Sequence, residues 1–287
     1  MPLTDNQRGA VFMVASMAGF AIEDVFLKAA VKSVPLGEAL ALYGALGLLA
    51  FVALTLWRGE PVFAPAFLSR PILIRSGFEV TGRLFYALAF TLTPLTSATA
   101  ILQATPLLVV AGAALVFGEK VSLSRWLAIL CGFAGVLLIL RPGFDGYSAL
   151  SLLAVVGMIG FAGRDLATRA APPALSNMQL GVAGFTMLTL VGIGLSVVKG
   201  GGHWPTWPIA GLLSGATVSG VAAYYALTIA MRTGEVGAVT PFRYTRLVFA
   251  LILGVAVFGE RPDALVLLGS AIVVGSGVFA LIGRRVG

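Results

Sequence analysis

The chain has 287 residues, 59% of them hydrophobic and 11% charged, with a net charge of +7. A soluble domain carries roughly 25% charged residues, so this composition, with a mean hydropathy of +0.99, excludes an ordinary soluble fold and points to lipid. The positive balance does not indicate nucleic acid, because the cations are scattered at segment ends with no basic run or face.

Ten apolar segments follow in chain order, approximately 8–31, 36–57, 71–93, 95–117, 122–140, 147–170, 176–198, 206–232, 236–258 and 263–283. Each is near the ~20 residues that cross ~30 Å of hydrocarbon as a helix. The runs are continuous rather than alternating, which argues against a lipid-facing barrel. Turn signals separate them: Pro35-Leu36-Gly37, Arg58-Gly59-Glu60-Pro61, Arg141-Pro142-Gly143, Pro172-Pro173 and the Gly-rich stretch before His203. The first seven residues are polar without a signal-peptide layout, so the first segment is expected to be retained. Gly211 and Gly215, four apart, share a face suited to close helix contact. Cys131 is alone, which excludes an intrachain disulfide. With the N-terminus placed in the cytoplasm, nine loop cations fall inside and five outside, predicting cytoplasmic termini.

The chain also repeats itself. Gly19-Phe20-Ala21-Ile22-Glu23-Asp24-Val25-Phe26-Leu27-Lys28-Ala29 returns as Gly160-Phe161-Ala162-Gly163-Arg164-Asp165-Leu166-Ala167-Thr168-Arg169-Ala170, 141 residues later. Phe117-Gly118-Glu119-Lys120 returns as Phe258-Gly259-Glu260-Arg261 at the same offset. Two matches at one spacing indicate a duplication, with repeats at about 8–141 and 147–284 inside a single membrane domain. Five helices per repeat is an odd number, so the second copy enters the membrane upside down. The expected fold is therefore an all-α integral membrane protein of ten transmembrane helices in two inverted five-helix repeats, working by alternating access around a midplane site.

These repeated segments, with Pro106 and the Phe-Gly-Glu endings, resemble the drug/metabolite transporter superfamily, and within it the ten-helix EamA-type transporters. With Phe20, Phe161, Tyr86, Tyr224 and Phe242 as its candidate aromatic lining, the chain is similar to YddG-like amino-acid exporters. The resemblance covers the whole chain and implies a carrier of small metabolites in a bacterial-type inner membrane. Export of aromatic or other neutral amino acids is the preferred reading. Carriage of lipophilic cations or other metabolites is the alternative, and a channel or structural subunit is the alternative of another class. No cofactor is expected. The partners are a small-molecule substrate and the bilayer, and a monomer suffices.

Ionisable groups inside a span are costly, which makes each a functional candidate. In the third segment Arg75, Glu79 and Arg83 lie at i, i+4 and i+8 on one face. Arg75 is expected to snorkel to the headgroups; Arg83 is placed at mid-span, either neutralised by Glu79 or facing cargo. Arg243 and Arg246 share a face after Pro241, and their expected roles are a cargo contact at Arg246 or pairs with Glu79, Asp24 or Asp165. The repeated segments offer Asp24 with Lys28, and Asp165 with Arg169, as i,i+4 pairs, and Arg164 beside them. These five are read as gating or coupling candidates. Phe20, Phe161, Tyr86, Tyr224 and Phe242, with Gln103 as a polar contact, complete the candidate cavity lining. Glu119 and Glu260 are expected to shape turns, and His203 to anchor at the interface. A single His, no metal-ligand spacing and no phosphate-binding loop argue against an enzyme.

Overall fold

The computed structural model describes residues 3–92, 101–102, 104–140, 150–199, 206–258 and 264–282, and every regular element among them is helical. They form α1 Asp5–Ala30, α2 Leu36–Trp57, α3 Arg70–Leu92, α4 Thr105–Phe117, α5 Leu123–Leu140, α6 Ser151–Arg169, α7 Asn177–Lys199, α8 Trp207–Arg232, α9 Thr245–Phe258 and α10 Ala264–Ile282. The segment expected as one helix over 236–258 is instead broken. A helical turn, Val236–Val239, and a 3-10 turn, Thr240–Tyr244, lead into α9. Pro241 stands at the start of that 3-10 turn, where its missing N–H prevents a continuous α-helical ladder.

Local chemistry explains several boundaries. Thr4 opens α1 with a capping box, its hydroxyl accepting from Gln7 N while Gln7 accepts from Thr4 N. Gly118 ends α4 with φ of +66°, a left-handed cap that suits glycine and accounts for the Phe117-Gly118-Glu119 ending.

Asp5–Ala30, Leu36–Trp57, Asn177–Val198, Trp207–Arg232 and Val236–Val257 are long and apolar enough to cross a membrane, and Thr105–Phe117, Leu123–Gly135 and Leu267–Ser276 are shorter apolar stretches. Leu49, Leu115 and Val218 are among the apolar side chains on the outer surface, and Trp57 and Trp207 are exposed at helix termini. That pattern fits a lipid-facing belt with aromatic ends. The chain is an integral membrane protein, all-helical among the described residues. Outside the spanning set lie α3, which holds Arg70, Arg75, Glu79 and Arg83, and α6, which holds Arg164, Asp165 and Arg169.

The packing follows the repeat. The pairings are α1 on α8, α3 on α6, α2 on α7 and α5 on α10, with α9 on α1 and α4 on α6. Exchanging the two halves maps each pairing onto itself or another in the set. The match extends to atoms. A Cβ on Gly19 would lie 2.8 Å from Ala223 Cβ, and one on Gly160 would lie 2.4 Å from Gly82 N. Adding 141 to 19 gives 160, and subtracting it from 223 gives 82. Small residues let these helices touch backbone to backbone. Gly211 and Gly215 share a helix face but not a close contact: Gly215 packs on Phe26, while nothing lies within 4 Å of a Cβ at Gly211.

One end of the bundle is tied by polar contacts. Asn6 Oδ1 accepts from Glu235 N at 2.8 Å, Arg125 reaches Glu235 at 2.5 Å, and Gln179 donates to Pro61 O at 2.8 Å. Arg232 donates to Leu175 O and Asn177 Oδ1, each at 2.8 Å, and Arg169 meets Glu119 at 3.7 Å. The start of α1 and the end of α6 therefore lie at the same end.

Candidate functional site

The cluster begins on α3. Arg75, Glu79 and Arg83 are spaced one turn apart, about 6 Å along the axis, and face α6. Glu79 is the hub. It is fully buried and lies 3.1 Å from Arg83, 3.5 Å from Arg164 and 3.9 Å from Arg75. Its other oxygen accepts from the Tyr224 hydroxyl of α8 at 2.8 Å.

Arg75 does not reach the headgroups. It is 1% exposed, donates to Thr168 at 2.9 Å and to the Tyr224 hydroxyl at 2.5 Å, and is held among α3, α6 and α8. Snorkelling requires a lipid-facing position, and Arg75 instead points inward with Glu79.

Asp165 does not pair with Arg169. It takes Arg164 at 2.7 Å and Arg243 from the 3-10 turn, while Arg169 turns to Glu119. Glu119 thereby links the α4–α5 connection to the end of α6, beyond the turn-setting role expected of it. A carboxylate gathers whichever guanidiniums lie across the helix interface, and here those outcompete the neighbour one turn away.

Farther from the tied end the chemistry becomes wetter. Asp24 meets Arg246 of α9 at 2.6 Å, with side chains 54% and 29% exposed. Lys28 is exposed one turn beyond. Arg246 lies 5.3 Å from the Phe20 ring and Arg164 5.0 Å from the Phe161 ring. Tyr86 meets Phe161 edge-on at 5.9 Å. Arg83, 15% exposed, stands between the dry cluster and this wetter region.

The structure thus brings together Phe20, Asp24, Glu79, Arg83, Tyr86, Phe161, Arg164, Asp165 and Arg246. Tyr224 and Phe242 are near by but buried, Tyr224 inside the polar network and Phe242 in the apolar core. Gln103, His203 and Glu260 lie outside the described residues. The site-residue set drawn from the sequence lacks Arg75, Thr168, Tyr43 and Arg243. The i, i+4, i+8 stripe of α3 carried the signal for Arg75, and the shared face with Arg246 carried it for Arg243. A shallow apolar groove of about 820 Å³ between α1 and α8, lined by Ile22, Phe26, Gly215 and Val218, lies apart from these charges. Among the described residues no group of His, Cys, Asp and Glu is placed to hold a metal ion.

The model of the EamA-like transporter family matches residues 7–141 and again residues 146–282. The chain belongs to the EamA-like transporter family. This EamA-like chain is 27% identical over 219 residues to a riboflavin transporter of Rhizobium johnstonii, covering 75% of the chain and 69% of the relative. It is 30% identical over 200 residues to a riboflavin transporter of Vibrio cholerae, covering 68% of the chain and 64% of the relative's length. An S-adenosylmethionine uptake transporter of Rickettsia bellii is 24% identical over 221 residues, covering 76% of the chain and 75% of the relative. A solved crystal structure shares the fold, with a TM-score of 0.79 at 22% identity over 96% of this chain and 98% of that one. The EamA-like protein is a small-metabolite transporter and not an enzyme, and the double family match agrees with the internal repeat.

Proposed function

We propose that the protein is an alternating-access carrier of a flat, aromatic metabolite rich in hydrogen-bond acceptors, with the flavin class as preferred cargo. The observation that carries this is an accessible guanidinium on a ring, Arg246 5.3 Å from Phe20, with the partly exposed Arg83 and the edge-on pair Tyr86 and Phe161 in the same cluster. Guanidinium is a donor without acceptor capacity, so it suits ring carbonyls and ring nitrogens. Aromatic side chains supply stacking area for a planar ring. The names of two relatives agree with this chemistry. The excess of arginines opposes a sulfonium or other cationic cargo.

In this reading ten spans form two inverted repeats, one about 8–141 and the other about 147–284, in a bacterial-type inner membrane. Support comes from the tied end of the bundle, where α1 starts and its repeat mate α6 finishes. The excess of loop cations on one side supports a cytoplasmic position for that end and for both termini. The dry network of Arg75, Glu79, Arg164, Asp165 and Arg243 then closes the cytoplasmic side, and Asp24 with Arg246 stands in a vestibule open to the other side.

A second reading, export of aromatic or other neutral amino acids, is favoured by the same two arginines acting on a carboxylate. Counterflow in proteoliposomes separates them. Labelled riboflavin is exchanged against riboflavin, tryptophan, phenylalanine or S-adenosylmethionine on the opposite side. The expected result is saturable riboflavin exchange, reduced at least tenfold in Arg83→Ala. Exchange of amino acids without riboflavin establishes the second reading. Exchange of S-adenosylmethionine alone refutes both.

A further inference from the structure

Each of four carboxylates around the site has been placed, and one lacks what the others have. Glu79 meets three guanidiniums and a hydroxyl, Asp165 meets two guanidiniums, and Asp24 meets Arg246. Glu23, 5% exposed on α1, has its Oε2 buried with no hydrogen-bond partner. The hydroxyl of Tyr43 on α2, fully buried, makes no well-formed hydrogen bond and has the Glu23 carboxyl as its neighbour.

The repeat shows why. Glu23 plus 141 is Arg164, the residue that reaches Glu79 in the second half's slot. Glu79 plus 141 is Gly220, and the Tyr43 hydroxyl lies against it, 2.1 Å from where a Cβ would stand. One slot therefore holds a guanidinium against a carboxylate. The equivalent slot holds a carboxyl and a phenol against a glycine.

On the carrier reading above, we infer that Glu23 is the group that binds and releases the proton coupling cargo movement to a proton gradient. An ionised carboxylate with an unmet oxygen in a dry site is strongly disfavoured. Proton binding cancels the charge and gives the carboxyl an O–H that the Tyr43 hydroxyl can accept. The charged and titratable groups facing Glu23 are Asp24 on its own helix, Tyr43 from α2, Arg83 from α3 and Arg246 from α9. Asp24 brings a like charge to the same pocket, while the two guanidiniums and the Tyr43 O–H can each be shared with the Glu23 carboxylate. Cargo whose acceptors occupy Arg83 and Arg246 withdraws that support, so cargo and proton bind together. When the cargo leaves, the arginines are freed and the proton departs to the side then open to water. Asp24 and Asp165, the coupling candidates read from sequence, are both engaged by arginines, which suits them to gating.

The test begins without cargo. The full chain in nanodiscs is titrated by infrared spectroscopy, following the C=O stretch of protonated carboxyl groups. One band that disappears as pH rises is expected in the parent, lost in Glu23→Gln, kept in Asp24→Asn and restored at a shifted frequency in Glu23→Asp. An unchanged band in Glu23→Gln, or none in the parent at any pH, overturns the inference. The second readout is riboflavin accumulation in proteoliposomes under an imposed pH gradient. Accumulation in Glu23→Gln is expected to fall at least tenfold, to the level reached without a gradient, and to recover in part in Glu23→Asp. Gradient-driven accumulation equal to the parent's overturns the assignment. A parent that moves no riboflavin refutes the cargo while the infrared result still decides Glu23.

Discussion

Glu79→Gln tests whether the dry cluster is held by charge. The substitution preserves shape and removes one negative charge from a carboxylate buried among Arg83 at 3.1 Å, Arg164 at 3.5 Å and Arg75 at 3.9 Å. At an effective dielectric constant near 20, a charge pair about 4 Å apart is worth about 4 kcal/mol, so three pairs reach about 12 kcal/mol before desolvation is subtracted. Desolvation removes most of that sum, and breaking one buried pair by deleting a partner costs about 3–5 kcal/mol in practice. The variant also leaves Arg75, Arg83 and Arg164 facing one another without the carboxylate they share, Asp165 remaining beside Arg164. The expectation is a loss of about 3–5 kcal/mol, read by reversible unfolding in a mixed-micelle titration. Combining Glu79→Gln with Arg164→Gln should recover about 1–3 kcal/mol of it, because coupled neighbours are not additive. A Glu79→Gln protein as stable as the parent refutes the idea that electrostatics closes this side.

Three further outcomes follow from particular contacts. Tyr224→Phe removes a donor to Glu79 and an acceptor for Arg75, and leaves both groups underserved in a buried site; unfolding should be easier by about 1–3 kcal/mol. Gly184→Ala would set a Cβ 1.9 Å from the Tyr224 hydroxyl, and Gly160→Ala one 2.4 Å from Gly82 N. Each should cost about 1–3 kcal/mol by overpacking, the second more because backbone cannot step aside. Arg246→Ala breaks a pair with Asp24 that is partly exposed on both sides, so stability should change by less than about 1 kcal/mol. Cargo affinity measured by riboflavin counterflow should fall at least tenfold. Loss of stability matching the loss of transport would assign Arg246 a structural role instead.

Much of this was legible in the residues themselves, and the failures have physical causes. Apolar runs and their punctuation mark helices well, and most described helices fall close to where those runs predict; of the 95–117 run the structure describes a helix over Thr105–Phe117, with a turn at Ala104, and 93–100 and 103 lie outside the described residues. The 236–258 run hid a 3-10 turn because hydropathy is blind to the hydrogen bond that Pro241 deletes. The charge stripe of α3 was visible at i, i+4 and i+8, yet the direction in which Arg75 turns depends on Thr168 and Tyr224, far away in sequence. Local spacing suggested Asp165 with Arg169, and the fold placed Arg243 and Arg164 nearer. Tyr43 drew no attention at all. Its place beside Glu23 and against Gly220 depends on how α2 packs, which no local spacing shows.

The two halves share a backbone plan, and charge has to break that likeness near their shared axis. Gly19 on Ala223 and Gly160 on Gly82 are the same contact made twice. Were the side chains also the same, position 164 would be a glutamate like Glu23, standing against Glu79 and repelling it. Arg164 stands there instead, 3.5 Å from Glu79. Position 220, the mate of Glu79, is a glycine, which makes room for the Tyr43 hydroxyl beside Glu23. Position 224, the mate of Arg83, is a tyrosine able to donate to Glu79 while accepting from Arg75. Each departure turns a like-charge encounter into a neutral or complementary one. The consequence is that the two ends cannot close by the same chemistry: one locks through ion pairs, and the other must close over a carboxyl, a phenol and a glycine, where the state of one proton matters most.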